Sequence, residues 1–179
     1  KRLFDVVLSL IGLVLISPIL LLISILIKID SSGPVLFVQG RVGKNNIDFN
    51  IYKFRTMRLE SNKKGLLTLG NNDSRVTKIG YFLRRYKLDE FPQLINIIKG
   101  DMSFVGPRPE LRYYVNFYND NDMEIFKVRP GITGLASLKY RNEAIIPDKL
   151  KYNKEYIKRR NFLFDLKLIG LTIIKVILK

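Results

Sequence analysis

A long apolar segment at the start of the chain constrains the fold more than any other feature. Between Leu3 and Ile29 the apolar run is interrupted only by Asp5, Ser9, Gly12, Ser17, Pro18, Ser24 and Lys28. Crossing a bilayer takes about 20 apolar residues, so the segment is long enough to enter a membrane. It is too long for the core of a signal peptide and lacks a small-residue cleavage site. The segment therefore predicts a membrane-associated protein.

Ser17-Pro18 lies in the middle of this segment and predicts a break or a strong kink. Proline removes a backbone donor and clashes with the carbonyl four residues earlier, at Val14. The Ser17 hydroxyl can bond a carbonyl freed in this way. Both flanks are basic, and positive charge favours the cytoplasmic side. Two interpretations stay open: a helix–break–helix that enters and returns, and a proline-kinked transmembrane helix.

The composition restricts the chemistry that the chain can perform. Its 179 residues carry a net charge of +15 and include neither histidine nor cysteine. Disulfides, thiolate metal sites and most zinc sites are therefore excluded, whereas oxygen ligands for Mg²⁺ or Mn²⁺ remain. Nucleophilic and acid–base roles fall to Asp, Glu, Lys, Tyr, Ser or Thr. The positive charge indicates anionic partners: nucleic acid, lipid head groups or phosphorylated small molecules.

The remaining residues predict an α+β fold that is mostly helical. Two short strands, 35–38 and 49–54, suggest a β-hairpin. Helices are predicted over 79–87, 91–99, 113–118 and 148–160, with Pro92 in a first turn and Gly100 at an end. The Pro/Gly-rich stretch 128–134 predicts a loop, and 162–179 predicts an interfacial amphipathic helix. Asp120-Asn121-Asp122 is better interpreted as a turn and helix cap than as a metal motif.

The adjacent carboxylates Asp89 and Glu90 are the first candidates for catalysis. Near a helix start both are electrostatically favoured, so by themselves they are simply helix-start residues. Basic residues near them in the sequence make phosphate chemistry a second interpretation, because arginine's planar fork suits phosphate oxygens. These candidate phosphate-binding residues are Lys53, Arg55, Arg84, Arg85 and Arg108. An ionised carboxylate can attack a phosphoryl group and form an acyl phosphate.

Several stretches occur in an order that resembles the small, single-domain monotopic phosphoglycosyl transferases, a type of bacterial sugar transferase. The matching stretches are Ser17-Pro18; Gln39, Arg41 and Gly43; Lys53 to Met57; Leu88 to Leu94; Lys99 to Ser103; Val105 to Pro109; Arg129 to Gly134; Arg141-Asn142; and Asp165 to Lys167. One stretch departs from the pattern: Ser137 to Tyr140 stands where relatives usually carry Gln-Val-Asn-Gly. This departure is compatible with a different sugar pocket.

The resemblance implies a reaction and roles for the candidate residues. Such enzymes transfer a phosphosugar from a UDP-sugar to a polyprenyl phosphate, usually undecaprenyl phosphate, and release UMP. Asp89 would be the nucleophile that forms a covalent phosphosugar intermediate and also the ligand of Mg²⁺, and Glu90 would be its partner. Lys53, Arg55 and Arg108 would hold phosphates, and the further candidates for this role are Arg84, Arg85 and Arg141.

The resemblance also implies a topology. Residues 1–29 would form a re-entrant membrane hairpin broken at Ser17-Pro18, and residues 30–179 a catalytic domain at the cytoplasmic face of the bacterial inner membrane. Both termini would then be cytoplasmic, inner-leaflet lipids would be partners, and nucleic acid would not. The alternative is a membrane-tethered binder of nucleic acid or anionic lipid without catalysis, which the charge of +15 also allows.

Overall fold

The computed structural model describes residues 1–59, 73–140 and 146–178, and these are mostly helical. The helices are α1 (Arg2–Asp30), α2 (Lys78–Tyr86), α3 (Gln93–Lys99), α4 (Arg112–Val115), α5 (Leu135–Tyr140), α6 (Ile146–Arg159) and α7 (Phe162–Ile177). The strands are β1 (Leu36–Val42), β2 (Asp48–Phe54), β3 (Ser103–Val105) and β4 (Gly131–Thr133). Short 3₁₀ segments cover Lys44–Asn46, Leu88–Glu90 and Asp122–Lys127.

The apolar segment forms one helix, α1, and the predicted division into two helices is not seen. The helix assignment continues from Arg2 to Asp30 with Pro18 inside it. Proline leaves the Val14 carbonyl without its usual amide donor, and the Ser17 hydroxyl donates to that carbonyl at 2.8 Å. The local bond expected from the sequence is thus present, and it helps the helix to continue. By length and composition α1 could cross a membrane.

Strands β1 and β2 form the predicted antiparallel hairpin, although both are longer than predicted. The register pairs Leu36 with Phe54 at one end and Val42 with Asp48 at the other. Asparagine tolerates the left-handed backbone that this turn needs, and Asn45 and Asn46 have φ angles of 57° and 61°. The hairpin carries Lys53 near the end of β2, on the strand that packs against α3.

Two of the sequence-based predictions are wrong in their type or extent. The stretch predicted as a loop, 128–134, contains β4, which pairs in parallel with β3 through Ser103–Gly131 and Val105–Thr133. The predicted aromatic-rich helix is shorter than expected, because α4 ends at Val115.

Helix α1 packs along the rest of the chain on one side and is exposed on the other. Buried Ile23 and Ile27 contact Phe54 and Leu83. Nearer the start of α1, Leu13 and Ile16 pack against a second buried cluster, formed by Ile51, Leu94, Ile97 and Met102. The hydrophobic core is therefore shared between the membrane-type helix, the hairpin and α3.

Polar contacts attach both ends of α1 to the same folded body. At the start, Lys1 Nζ lies 2.6 Å from Asp165 Oδ2, and the Arg2 guanidinium donates to the last carbonyls of α3. At the end, Asp30 Oδ2 accepts from the Ile79 amide at 3.0 Å, which also caps the start of α2. These contacts fix α1 relative to α2 and α3, the two helices that flank Asp89 and Glu90.

Candidate active site

Asp89 and Glu90 lie in the 3₁₀ segment between α2 and α3, where the chain changes direction. Helix α2 ends at Tyr86, and the residue that caps it, Lys87, has a left-handed backbone with a φ of 60°. A non-glycine residue in this conformation costs of order 1 kcal/mol or more and is typical of functional sites. Asp89 is 8% exposed and Glu90 7%. The turn thus places two adjacent carboxylates inside the protein, not on its surface.

Glu90 is the anionic centre of an ion-pair cluster. Its Oε1 accepts from Lys53 Nζ and from Arg108 Nη2, each at 2.9 Å. Burial acts to raise the pKa of Glu90, but Arg108, Lys53 and Lys87 outweigh burial and hold that pKa well below its ordinary value. Glu90 is therefore ionised at neutral pH and positions two cations.

The pKa of Asp89 is shifted in the opposite direction to that of Glu90. Burial and the neighbouring charge of Glu90 raise the pKa of Asp89, and Lys53, Lys87 and Arg84 only partly offset them. Its Oδ1 is buried and has no hydrogen-bond partner among the residues that the structure describes. A desolvated carboxylate oxygen without a donor is more nucleophilic than one in water. This oxygen is therefore the candidate nucleophile among the described residues of the site.

Lys87 and Arg41 also lie at this cluster, although neither was among the predicted site residues. Burial lowers the pKa of the Lys87 amine, while Glu90 and Asp89 favour its charged form. Burial also lowers the pKa of Arg41, which lies in the field of Arg108 and Glu90. The Arg41 guanidinium donates to Pro109 O and to Gln39 Oε1, so it supports the loop that carries Arg108. The available signal for Lys87 was its place in the sequence, directly before the segment that carries Asp89 and Glu90.

The remaining predicted phosphate-binding residues do not all gather here. Arg84 does: it lies in the field of Asp89, and its Nε donates to Thr56 Oγ1 at 2.9 Å. Arg55 instead is buried at the end of α1, where its guanidinium donates to the Ser31 and Ser32 carbonyls and the Ser31 hydroxyl. Arg85 is exposed, 5.7 Å from the Tyr86 ring centroid. Arg141 lies outside the described residues.

The donor set fits a metal ion that is shared with a substrate, not one held by the protein alone. Among the described residues no group of three or more Asp or Glu side chains could hold a metal ion. Among the described residues Asp89 Oδ1 has no hydrogen-bond partner, whereas Oε1 of Glu90 is paired with two cations. Mg²⁺ commonly takes one or two carboxylates and completes its shell with water and substrate phosphates.

The other acidic motif is a turn, as predicted. The Asp122 amide donates to Asn119 Oδ1 at 3.0 Å, and Asp122 Oδ1 lies 2.6 Å from Lys154 Nζ.

Comparison with known proteins identifies the family. The family model described as "Bacterial sugar transferase" matches residues 1–179. The chain belongs to the bacterial sugar transferase family. The match includes α1, the hairpin and the Asp89–Glu90 turn, so the membrane-type helix and the site belong to the family as one unit.

Named relatives of this family differ in the sugar that their names specify. An Aeromonas hydrophila relative, "UDP-N-acetylgalactosamine-undecaprenyl-phosphate N-acetylgalactosaminephosphotransferase", is 40% identical over 97% of this chain and 42% of its own. An Escherichia coli relative, "UDP-glucose:undecaprenyl-phosphate glucose-1-phosphate transferase", is 41% identical over 98% of this chain and 39% of its own. The chain therefore spans about two fifths of the length of these two relatives.

A third relative is closer in length. The Bacillus subtilis protein named "Uncharacterized sugar transferase EpsL" is 38% identical, and the match covers 99% of this chain and 87% of the relative. The family thus includes proteins in which a unit of this size makes up most of the chain.

Proposed function

We propose that this protein transfers a phosphosugar from a UDP-sugar to a polyprenyl phosphate at the inner face of the bacterial membrane, and releases UMP. The observation that carries the proposal is the buried Oδ1 of Asp89, which has no hydrogen-bond partner in the described part of the chain and lies beside a cluster of phosphate-compatible cations. The names of the Aeromonas and Escherichia relatives support the same substrate classes, a UDP-sugar and undecaprenyl phosphate.

The reaction takes place in two displacements at one phosphorus. In the first, a carboxylate oxygen of Asp89 attacks the phosphorus that bears the sugar. A P–O bond forms, the bond from that phosphorus to the UMP oxygen breaks, and UMP leaves with the bonding electrons. In the second, an oxygen of polyprenyl phosphate attacks the same phosphorus and the bond to Asp89 breaks. The products are a polyprenyl-diphosphate sugar and a regenerated carboxylate.

The surrounding side chains neutralise charge and fix geometry. Lys53 and Arg108, held by Glu90, and Lys87 present positive charge where the diphosphate must lie. Arg84 adds a cation on the α2 side of Asp89. Mg²⁺, bound by Asp89 and by the substrate phosphates, would neutralise further charge on the diphosphate. Burial of the turn limits access of water, which would otherwise hydrolyse an acyl phosphate.

The membrane arrangement is part of the proposal. Residues 1–29 are placed in the inner leaflet as a re-entrant segment, and residues 30–179 at the cytoplasmic face. The contacts of Lys1 and Arg2 at one end of α1, and of Asp30 at the other, support it, because both ends touch the same folded body. A site at this interface can meet a soluble nucleotide sugar and a lipid-embedded acceptor.

The variant Asp89→Asn tests the reaction. We expect UMP release from UDP-glucose or UDP-N-acetylgalactosamine to fall by at least about 10³-fold, because amide oxygen is a poor nucleophile. Intact-mass spectrometry of the wild type without acceptor lipid should detect a phosphosugar adduct that the variant lacks. The matched control is Asp48→Asn, since Asp48 is exposed and paired with Arg112 outside the site.

Two results would contradict the proposal. Retention of turnover by Asp89→Asn would remove Asp89 as the nucleophile. Absence of UMP in a single turnover without acceptor lipid, together with rapid release when the lipid is added, would instead support direct transfer in a ternary complex.

A further inference from the structure

Two buried amide side chains lie one helical turn apart on α3, and they differ in their hydrogen bonding. Asn96 is fully buried, and each end of its amide has a partner. Its Oδ1 accepts from the Tyr52 amide at 3.0 Å, and its Nδ2 donates to Asn50 O at 2.7 Å and to Asp101 Oδ2 at 3.1 Å. Asn96 therefore has a structural role, because these bonds join α3 to the hairpin.

Gln93 has no such role within the described part of the chain. It is only 2% exposed, yet its Nε2 finds no hydrogen-bond partner among the described residues. A buried donor without an acceptor destabilises the folded state, and such groups are rare in folded proteins. A glutamine retained in this state is explained if its partner is a ligand.

Gln93, whose Nε2 has no acceptor among the described residues, lies close along the chain to Asp89, whose Oδ1 has no donor among them. The backbone stays helical between them, since Leu88–Glu90 is a 3₁₀ segment and Phe91 and Pro92 have right-handed helical angles. Four residues at 1.5–2.0 Å each correspond to about 6–8 Å along the axis. A phosphoryl group, which has several acceptor oxygens, can contact both side chains across such a distance.

We propose that the Gln93 amide is a substrate-binding group whose Nε2 donates a hydrogen bond to a non-bridging oxygen of the phosphosugar held at Asp89. This inference rests on the proposed function, which supplies the phosphosugar. Lys53 and Arg108 are already bound to Glu90, whereas the Gln93 donor is not engaged by any described carboxylate. UMP has no second phosphate, so this contact would favour the substrate over the product.

Nucleotide binding to the full chain in lipid nanodiscs tests the inference, with turnover prevented by Asp89→Asn in every sample. Affinities for UDP-glucose, UDP-N-acetylgalactosamine and UMP are measured by calorimetry with Gln93 intact and with Gln93→Met. Methionine has similar length but no donor. We expect Gln93→Met to weaken UDP-sugar binding by about 10-fold, the usual effect of one hydrogen bond to a charged group, and UMP binding by less than about 2-fold.

Thermal unfolding without ligand separates a binding role from a structural one. Gln93→Met should unfold at the wild-type temperature or higher, because it removes an unpaired buried donor. The matched variant on the same helix, Asn96→Leu, should unfold at a lower temperature, because it leaves partners of Asn96 unpaired.

The inference fails if Gln93→Met binds UDP-sugars as the parent does, if UMP binding weakens equally, or if neither UDP-sugar binds the parent. It also fails if the only effect, in chains that retain Asp89, is a shift of the pH profile at unchanged affinity, since Gln93 would then position Asp89.

A wild type that binds UDP-sugars through Gln93 but never releases UMP would refute the reaction and keep this inference. Turnover that is unchanged by Gln93→Met would refute this inference and keep the proposed reaction.

Discussion

Glu90 organises the cations of the site, and its charge depends on them in turn. Its carboxylate is buried, which by itself would favour the neutral acid, yet contacts with Lys53 and Arg108 keep it ionised. Glu90 therefore fixes the positions of the cations, and in the proposed reaction Asp89 is the carboxylate that reacts. The division of roles between two adjacent residues follows from which of them is paired.

We expect Glu90→Gln to destabilise the protein by about 3 kcal/mol at neutral pH, because it leaves buried cations without their anion. The pKa of Glu90 is lower in the folded than in the unfolded protein, so its stabilising contribution is present above the ordinary value near 4.5. The contribution is lost as the pH falls from that value through the depressed folded pKa. Unfolding temperatures of the two proteins should thus converge in acid.

The control for this prediction is Glu124→Gln, because Glu124 forms an exposed pair with Lys127. We expect it to change stability by less than about 1 kcal/mol, as for most surface pairs. An unfolding temperature of Glu90→Gln equal to that of the control at neutral pH would show that the cluster does not depend on Glu90.

At the scale of elements, the helices and strands that depend mainly on neighbouring residues were predicted from local sequence patterns. The hairpin, α2 and α3 were predicted from alternation, apolar spacing and the proline and glycine at the ends of α3, and Gly100 indeed has a φ of 98°. The β3–β4 pair was missed because each strand has three residues and its partner lies 28 residues away. The residues alone left open whether α1 continues through Pro18, because continuity depends on packing along the body as well as on the expected Ser17 bond.

In the candidate site, too, the contacts that depend on how separate elements dock could not be predicted from the sequence. The Asp89–Glu90 turn and Arg108 could be located from the motifs. The pairing of Lys53 with Glu90 depends on how the hairpin docks on α3, and the position of Arg55 on how α1 ends, so sequence alone could not separate these two cations.

Arg55 provides a prediction at this scale. Its guanidinium joins the end of β2 to the residues that follow α1, so we expect Arg55→Gln to cost about 2–3 kcal/mol through lost charge-assisted hydrogen bonds. Nucleotide affinity of the folded variant should change by less than about 2-fold, as measured by calorimetry. Arg85→Gln, at an exposed position two helical turns into α2, should leave stability unchanged. A large loss of nucleotide affinity in Arg55→Gln at unchanged stability would return Arg55 to the phosphate-binding set.

For the whole molecule, charge and apolar surface indicate the same environment. The chain carries +15, and one face of α1 exposes large apolar side chains along its length. Each basic residue near an anionic leaflet contributes about 1 kcal/mol, which adds to the insertion of the apolar face. A nucleic-acid binder would use the charge but would leave that apolar face without a partner.

The attachment of both ends of α1 to one body leads to a prediction about topology. A straight crossing would place Lys1 and Asp30 on opposite sides of the bilayer, yet both contact the same folded body. Since the chain has no cysteine, single cysteines can report position. We choose Leu3→Cys and Ile29→Cys, which are 78% and 77% exposed near the two ends, and Leu15→Cys, which is 72% exposed in the middle.

In inverted inner-membrane vesicles, whose cytoplasmic face is outward, a membrane-impermeant maleimide should label Leu3→Cys and Ile29→Cys alike. In intact spheroplasts it should label neither, and Leu15→Cys should resist labelling from both sides until detergent is added. The equal reaction of the two end positions follows because contacts with Asp165 and Ile79 hold both ends beside the same folded body, which the proposed arrangement places at the cytoplasmic face. Opposite labelling of Leu3→Cys and Ile29→Cys would establish a crossing and would require the contacts at one end of α1 to be broken in the membrane.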